Sequence, residues 1–164
     1  MLLELKKVFQ NDGESVSVDY DLPMNDVEFY GVCPFKTPVK VRAQAKNRAS
    51  LVDLKIIVDF IYTRQCDRCL KLLEKPMHYE FDHKLAISLM SESDEDYIET
   101  PDYKLELDEV VKTDIILELP AKFLCSEDCK GLCMKCGKNL NEGDCGCDKG
   151  SVDPRLEILK QLID

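Results

Sequence analysis

Eight of the nine cysteines in this 164-residue chain are closely spaced, and their spacing constrains the fold more than any other feature. Cys66 and Cys69 form one Cys-x2-Cys pair, and six more cysteines lie within residues 125–147. A Cys-x2-Cys turn places two thiolates side by side, and four thiolates complete a tetrahedral zinc site. The spacing therefore predicts two four-cysteine metal sites, with two structural zinc ions, that fasten the end of the chain to an earlier β-hairpin.

These cysteines can be assigned to the two sites in two ways. In the favoured one, the span from Cys133 to Cys147 closes a ribbon-like site by itself, because Gly137 permits a positive φ after the second cysteine of the pair. The other four cysteines then form the first site. The favoured sites are Cys66, Cys69, Cys125 and Cys129, and Cys133, Cys136, Cys145 and Cys147. The competing grouping joins the four cysteines between residues 125 and 136, which leaves longer connections for the rest.

Free buried thiols, iron–sulfur clusters and a redox pair are the alternatives to zinc. Redox pairs begin a helix, whereas Cys66 and Cys69 lie between two predicted strands. Because thiolate fills all four positions of each predicted site, no coordination position remains for a substrate, and a structural role is expected. Cys33, beside Pro34, is expected to be a small half-buried apolar side chain and not a ligand.

Alternation of apolar and polar residues predicts several β-strands. The pattern is clearest at Val39–Ala45, and Leu51–Tyr62 has the apolar content of a central strand. Lys75–Met90 is predicted to return as a long strand, and Leu2–Phe9 to form the first strand. Apolar residues at helical spacing predict a helix over Leu107–Leu119.

These elements predict an α+β fold: an antiparallel β-sheet with one packed helix and a zinc-bound, Cys-rich C-terminal segment. The sheet and helix are expected within residues 1–120. A Cys-rich zinc ribbon-like segment is expected at residues 121–150, docked on the turn at residues 60–75. Residues 151–164 are predicted to form a C-terminal helix that opens at Pro154.

The net charge of −10 is unevenly distributed along the chain. Residues 36–75 carry ten bases and four acids, whereas residues 76–118 carry three bases and thirteen acids. This balance excludes a protein that coats RNA as a polycation. A local basic face for RNA and an acidic face at residues 92–118 for a basic protein both stay open. The candidate RNA-binding residues are Lys40, Arg42, Lys46, Arg48, Arg64 and Arg68.

The two candidate arginines beside the first cysteine pair, Arg64 and Arg68, have a second interpretation. A zinc ion with four thiolates carries a formal charge of −2, and nearby bases would offset it.

No apolar run reaches the roughly 18 residues of a membrane span. Residues 1–9 lack the pattern of a signal peptide. We therefore expect a cytoplasmic protein without membrane contact. No phosphate-binding glycine loop or Ser/His/Asp pattern is present, so we expect no enzymatic activity and no small-molecule substrate.

Several motifs between residue 60 and the C-terminus resemble those of the YceD family of large ribosomal RNA subunit accumulation proteins. They are Cys66-x-Arg68-Cys69-Leu70, Leu119-Pro120, Cys125-x3-Cys129-Lys130-Gly131-Leu132-Cys133-x2-Cys136-Gly137-x-Asn139-Leu140-Asn141 and Asp153-Pro154-Arg155-Leu156-x-x-Leu159.

The resemblance implies a non-enzymatic ribosome-biogenesis factor that supports accumulation or processing of large-subunit (23S) ribosomal RNA. Its partner would be that RNA or a large-subunit ribosomal protein. The alternatives are an acidic escort, or holdase, for a basic ribosomal protein and a zinc-containing nucleic-acid-binding regulator.

Overall fold

The computed structural model of this chain describes residues 1–29, 31–88 and 97–147. The predicted C-terminal helix at residues 151–164 lies outside the described residues, as does the beginning of the acidic stretch at residues 92–118.

The chain divides into two compact units. The first unit comprises Met1–Arg64 and Leu72–Phe123. The second comprises Gln65–Lys71, which links two strands of the sheet, together with the chain from Leu124 onward. All eight closely spaced cysteines belong to the second unit.

The first unit is mostly β-sheet with one full-length helix. In chain order its elements are β1 (Leu2–Glu4), α1 (Lys6–Gln10), β2 (Ser15–Leu22), β3 (Val39–Arg48), β4 (Leu51–Gln65), β5 (Leu72–Ala86), β6 (Tyr97–Glu99), β7 (Lys104–Glu106) and α2 (Leu107–Glu118). The main sheet has the order β2-β3-β4-β5-β6, and β1 pairs with β7 in a small second sheet. Strand β6 runs parallel to β5, so the sheet is mixed and not purely antiparallel as expected.

The prediction of one strand over Leu2–Phe9 is wrong, because β1 ends at Glu4 and α1 follows. The apolar residues of this stretch fit both the two-residue repeat of a strand and the longer repeat of a helix. Leu3 and Leu5 are two apart, as in a strand, whereas Leu5 and Val8 are three apart, as in a helix, and all three are buried. The local pattern therefore cannot decide where the strand stops.

Strand β3 separates a buried face from an exposed face. Its buried side chains are Val39, Val41, Ala43, Ala45 and Asn47. Strand β4 adds a longer row to the core, and helix α2 buries Leu107, Val111 and Ile115. Each large apolar side chain buried in this way stabilises the fold by about 1.5–3 kcal/mol. The exposed face of β3 carries its basic residues.

The turn between β3 and β4 holds two non-glycine residues in the left-handed region, Ala49 (φ 53°) and Ser50 (φ 68°). The Asp12 carboxylate accepts the Ala49 N–H at 2.8 Å, and the Asn47 side-chain oxygen accepts the Ser50 N–H at 3.1 Å. The buried Asn47 amide donates to the Val8 carbonyl at 2.8 Å. These bonds offset the backbone strain and fix the end of the hairpin.

A half-buried pair joins β5 to α2, since His83 Nε2 lies 2.7 Å from the Asp114 carboxylate. Its hydrogen bond to Asp114 raises the pKa of His83 above the ordinary 6.5, although burial opposes the shift. A raised pKa in the folded state stabilises the protein fully below the unfolded value, and the effect is lost as pH rises through the folded value.

We therefore expect His83→Gln to lower the free energy of unfolding by on the order of 1 kcal/mol near pH 5.5, and by less near pH 9. Urea denaturation at both pH values measures this difference. The matched control is His78→Gln, because His78 makes a similar pair with Asp59 but is exposed, so solvent screens it. An equal pH dependence in the two variants would contradict the prediction.

Candidate metal centre

The second unit gathers its cysteines into two groups of four, and within each group all the sulfur atoms lie within 4.8 Å of one another. This is the favoured grouping of the two described above. Cluster A is Cys66, Cys69, Cys125 and Cys129, and cluster B is Cys133, Cys136, Cys145 and Cys147. Either cluster offers four soft ligands to one metal ion.

The sulfur spacing in cluster A fits a single tetrahedral ion. The Cys66 and Cys129 sulfurs are 3.8 Å apart, and those of Cys69 and Cys125 are 3.7 Å apart. Zn–S bonds of about 2.3 Å in a regular tetrahedron place the sulfurs about 3.8 Å apart. A disulfide bond would require about 2.05 Å, and the described cysteines are all free thiols.

The turns that begin at Cys66 and Cys133 share one hydrogen-bond pattern. The Leu70 N–H donates to the Cys66 carbonyl at 3.0 Å, and the Cys66 N–H donates to the carbonyl five residues on at 2.8 Å. Both bonds recur in the turn that begins at Cys133, at 2.8 Å each. The residue after the second cysteine is left-handed in both turns, as Leu70 (φ 59°) and Gly137 (φ 74°). This geometry brings the two sulfurs of each pair together.

Hydrogen bonds to sulfur hold cluster A in place. The Cys125 N–H donates to the Cys66 sulfur at 3.4 Å, and the Asn141 side-chain amide donates to the Cys129 sulfur at 3.3 Å. Asn141 is itself fixed, because its side-chain oxygen accepts the Lys130 N–H at 2.8 Å. Such outer contacts orient thiolate ligands and stabilise their charge.

Arg68 ties the first cysteine turn to the later segment of the second unit. Its guanidinium donates to the Glu127 carbonyl at 3.2 Å and to the Cys129 carbonyl at 2.9 Å. Its own carbonyl accepts the Leu132 N–H at 3.1 Å. Gly131 lies against this carbonyl, and a Cβ there would be 3.0 Å from the Arg68 oxygen. The proposed RNA contact at Arg68 therefore competes with a structural role.

The thiols of cluster A differ in acidity: the pKa of one is lowered and that of another is raised. Burial raises the pKa of Cys66, but the backbone amides of Cys69, Arg68 and Cys125 outweigh it and lower that pKa to about 6. For Cys69 the Lys71 amide lowers the pKa, whereas burial and the neighbouring sulfurs raise it to about 12. Thiolates this close repel one another, so a bound dication is what allows all four to ionise.

In cluster B, too, the pKa of one thiol is lowered and that of another is raised. Backbone amides of Cys136 and Lys135 lower the pKa of Cys133 to about 6, and contact with the Cys136 and Cys145 sulfurs raises that of Cys147 to about 12. It differs from cluster A in exposure. Three cysteines of cluster A are buried, whereas Cys136 is exposed and the other members of cluster B are half-buried.

The ninth cysteine, Cys33, is exposed and not half-buried as expected, and it belongs to neither cluster. Arg64 is a half-buried residue of the first unit. Among the described residues, no helix is both long and apolar enough to cross a membrane.

Four candidate RNA-binding residues lie on the outer face of β3, and acids lie close to three of them; Lys46 is opposite Asp53 on β4, although the two form no ion pair. Arg42 forms an ion pair with Asp59 at 2.8 Å and is opposite Asp19 on β2. Lys40 is opposite Asp21 on β2 and Asp59 on β4. The charge of this half of the strand is therefore largely offset within the sheet.

The other half of β3 borders a shallow cleft of about 360 Å³, where bases outnumber acids. We call its four bases the basic corner: Lys46, Arg48, Lys55 and Lys84. The acids there are Asp53 and Asp82. Lys55 pairs with Glu80, whereas neither Lys46 nor Arg48 forms an ion pair with another described residue. The sequence did not indicate Lys84, because this residue is distant along the chain and comes to the corner only through the order of the strands in the sheet.

These observations define a class of protein: a mostly β fold whose chain also forms a separate unit with two four-cysteine clusters. The sequence matches the family described as large ribosomal RNA subunit accumulation protein YceD over residues 54–163, and the chain belongs to that family. The resemblance noted from the motifs is thereby confirmed.

Three similar proteins show how far the likeness extends. The large ribosomal RNA subunit accumulation protein YCED homolog 1, chloroplastic, of Zea mays is 26% identical, over 86% of this chain and 59% of its own length. Its Arabidopsis thaliana counterpart is 26% identical, over 84% and 51%. The uncharacterized protein YlbN of Bacillus subtilis (strain 168) is 29% identical, over 77% and 75%. The chain thus spans little more than half of the plant relatives, and no solved structure matches it.

Proposed function

We propose that this protein is a non-catalytic accessory factor that supports the accumulation of large-subunit ribosomal RNA and contacts that RNA directly. The family description and the names of the two plant relatives support the general role. The observation that carries the direct contact is the basic corner. A cytoplasmic location is part of the proposal, although both plant relatives are named as chloroplastic.

Charge separates the basic corner from the rest of the sheet face. Phosphate contacts supply most of the sequence-independent affinity for nucleic acid, and they need cations that are not already paired. Lys46 and Arg48 meet this condition among the described residues, whereas Arg42 is paired with Asp59. On a chain with a net charge of −10, RNA would approach only where the local field is positive.

Zinc is the ion that we propose for both clusters. Four thiolates around one tetrahedral centre suit Zn²⁺, and no coordination position is left open for chemistry. The clusters then carry a formal charge of −2 each, which the bases of the second unit offset, so we do not place the RNA contact there. Its proposed role is structural, and a single iron ion is the competing occupant.

Neutralising the basic corner tests the RNA contact. We expect Lys46→Gln with Arg48→Gln to weaken binding to a large-subunit ribosomal RNA fragment about ten-fold, and to reduce the salt slope by about 1.5, because two phosphate contacts are lost. Filter binding at several salt concentrations measures both quantities.

The matched control is Lys40→Gln with Arg42→Gln, which removes the same charge from the same face of the same strand. A smaller loss in this control supports a local contact. Equal losses in both double variants would indicate only a net-charge effect, and an unchanged affinity in the first variant would contradict the proposal.

A second candidate function is an escort for a basic ribosomal protein, and the exposed side of α2 favours it. Leu117 is 79% exposed and Ile116 37% exposed, and the exposed acids Glu109 and Glu118 lie on the same helix. A basic, partly apolar partner suits such a surface. Affinity capture with and without nuclease separates the candidates: a large-subunit ribosomal protein retained after nuclease treatment supports the escort, and its loss supports RNA contact.

A further inference from the structure

We propose that the two clusters differ in function as metal sites: cluster A holds the second unit together permanently, and cluster B exchanges its ion with the surroundings. Cluster B would thus be an exchangeable site for a thiophilic divalent cation, emptied and refilled while the second unit stays folded around cluster A. This inference rests on the proposed metal binding.

Access to the sulfur atoms is the first argument. Cys66, Cys69 and Cys129 are 0%, 6% and 3% exposed, so little solvent reaches three of the four ligands of cluster A, and the fourth, Cys125, is half-buried. In cluster B, Cys136 is exposed and its three partners are half-buried. A chelator or a competing thiol must contact a ligand or the ion before it can take the ion away. Cluster B offers that approach at the exposed Cys136, whereas the three buried ligands of cluster A become accessible only when the unit opens.

The position of the ligands along the chain is the second argument. Cluster A joins segments that are far apart in sequence, since Cys69 and Cys125 are separated by 56 residues. Cluster B draws all its ligands from the single stretch 133–147. Losing the ion of cluster B therefore frees one local loop, whereas losing that of cluster A separates two distant segments.

The hydrogen bonds around the clusters are the third argument. Those that support cluster A do not use the sulfurs of cluster B, because they come from Cys125, Arg68 and Asn141. Asn141 lies within the span of cluster B, but other bonds hold it. Its amide N–H donates to the Asn139 side chain at 3.1 Å, and the neighbouring Leu140 N–H donates to the Gly131 carbonyl at 2.9 Å. The support of cluster A thus outlasts the departure of the ion from cluster B.

The remaining arm of cluster B is the stretch of residues 143–147, which carries its last two cysteines. It begins at Gly143 (φ 128°) and contains Gly146 (φ 70°) between the last two cysteines. One of its attachments is the bond from the Lys138 ammonium to the Asp144 carbonyl at 2.9 Å, in which the lysine is exposed. When a chelator removes the dication, the freed thiolates take up protons from water and the arm can move away.

Chelation followed by labelling tests the inference on the full-length protein loaded with zinc. With an excess of the colorimetric zinc chelator 4-(2-pyridylazo)resorcinol, which both takes up and reports the ion, we expect release in two phases of one ion per chain each, the first at least ten-fold faster than the second. N-ethylmaleimide added after the first phase should modify the four cysteines of cluster B and leave those of cluster A unmodified. Mass spectrometry of peptides identifies the modified residues.

Two further measurements check which cluster releases its ion first. Hydrogen exchange at the Leu70 and Leu132 amides should remain slow after the first phase, because both belong to the support of cluster A. Cys147→Ser should abolish the fast phase and keep the slow one, whereas Cys33→Ser should leave both unchanged. Release of both ions in one phase, or early labelling of cluster A, would overturn the inference. A protein that binds no zinc at all would instead refute the metal-binding proposal.

Discussion

Replacing Cys66 with serine is expected to lower the metal content from two ions to one per chain and to unfold the part of the second unit around cluster A. Cys66 is fully buried, and its sulfur accepts the Cys125 N–H. A hydroxyl at this position cannot replace the thiolate in the tetrahedral site. Structural zinc contributes roughly 10–16 kcal/mol in small metal-dependent domains, which exceeds the stability that such a unit has without it.

Elemental analysis of anaerobically purified protein measures the metal content, and hydrogen exchange measures the unfolding. The Leu70 and Leu132 amides, which are hydrogen-bonded to Cys66 and Arg68, should exchange rapidly in the variant. Cys33→Ser is the control, because Cys33 is an exposed cysteine outside both clusters. Two ions and slow exchange in the Cys66 variant would show that cluster A is not a metal site.

The second large effect is expected from Gly131→Ala, which places a methyl group against the Arg68 carbonyl. Gly131 has a φ of 73°, and its Cβ would lie 3.0 Å from the Arg68 carbonyl oxygen. That oxygen also accepts the Leu132 N–H, so it cannot move without breaking this bond. We expect a loss of about 3 kcal/mol or more, from left-handed strain of about 1–2 kcal/mol and overpacking of about 1–3 kcal/mol.

Gly137→Ala separates the two causes. Its φ is 74°, almost the same as that of Gly131, but nothing lies within 4 Å of its added Cβ. This variant should lose only the cost of the left-handed backbone, about 1–2 kcal/mol. Urea denaturation of metal-loaded protein, together with the rate of the slow phase of zinc release, compares the two. Equal losses would show that the contact with Arg68 contributes nothing.

Much of the fold can be inferred locally because its signals are local. In strand β3 every second residue is buried and those between are exposed or half-buried, and α2 repeats its buried residues at helical spacing, so each pattern identifies its element. At the start of the chain the pattern does not identify the element, because Leu3, Leu5 and Val8 fit both the spacing of a strand and that of a helix. Packing of all three into one core, and not the pattern, ends β1 and begins α1.

The candidate sites also have one part that the local sequence predicts and another part that it does not. The spacing of a Cys-x2-Cys pair sets the turn that brings its two sulfurs together, which is why both cysteine turns were foreseeable. Sequence could not assign the charge of the β3 face, because the pairing of β3 with β4 brings Arg42 within 2.8 Å of Asp59 and leaves Lys46 and Arg48 beside the cleft. Lys84 joins that corner only through the order of the strands.

Residue type and spacing along the chain were thus enough to imply soft-metal ligands, an amphipathic sheet and one amphipathic helix, since each depends on neighbours within a few residues. The partners of each charge, the unequal burial of the two clusters and the contact of Gly131 with Arg68 arise between residues that are distant along the chain. Only the folded structure decides them, because tertiary packing determines which distant groups meet and which remain in water.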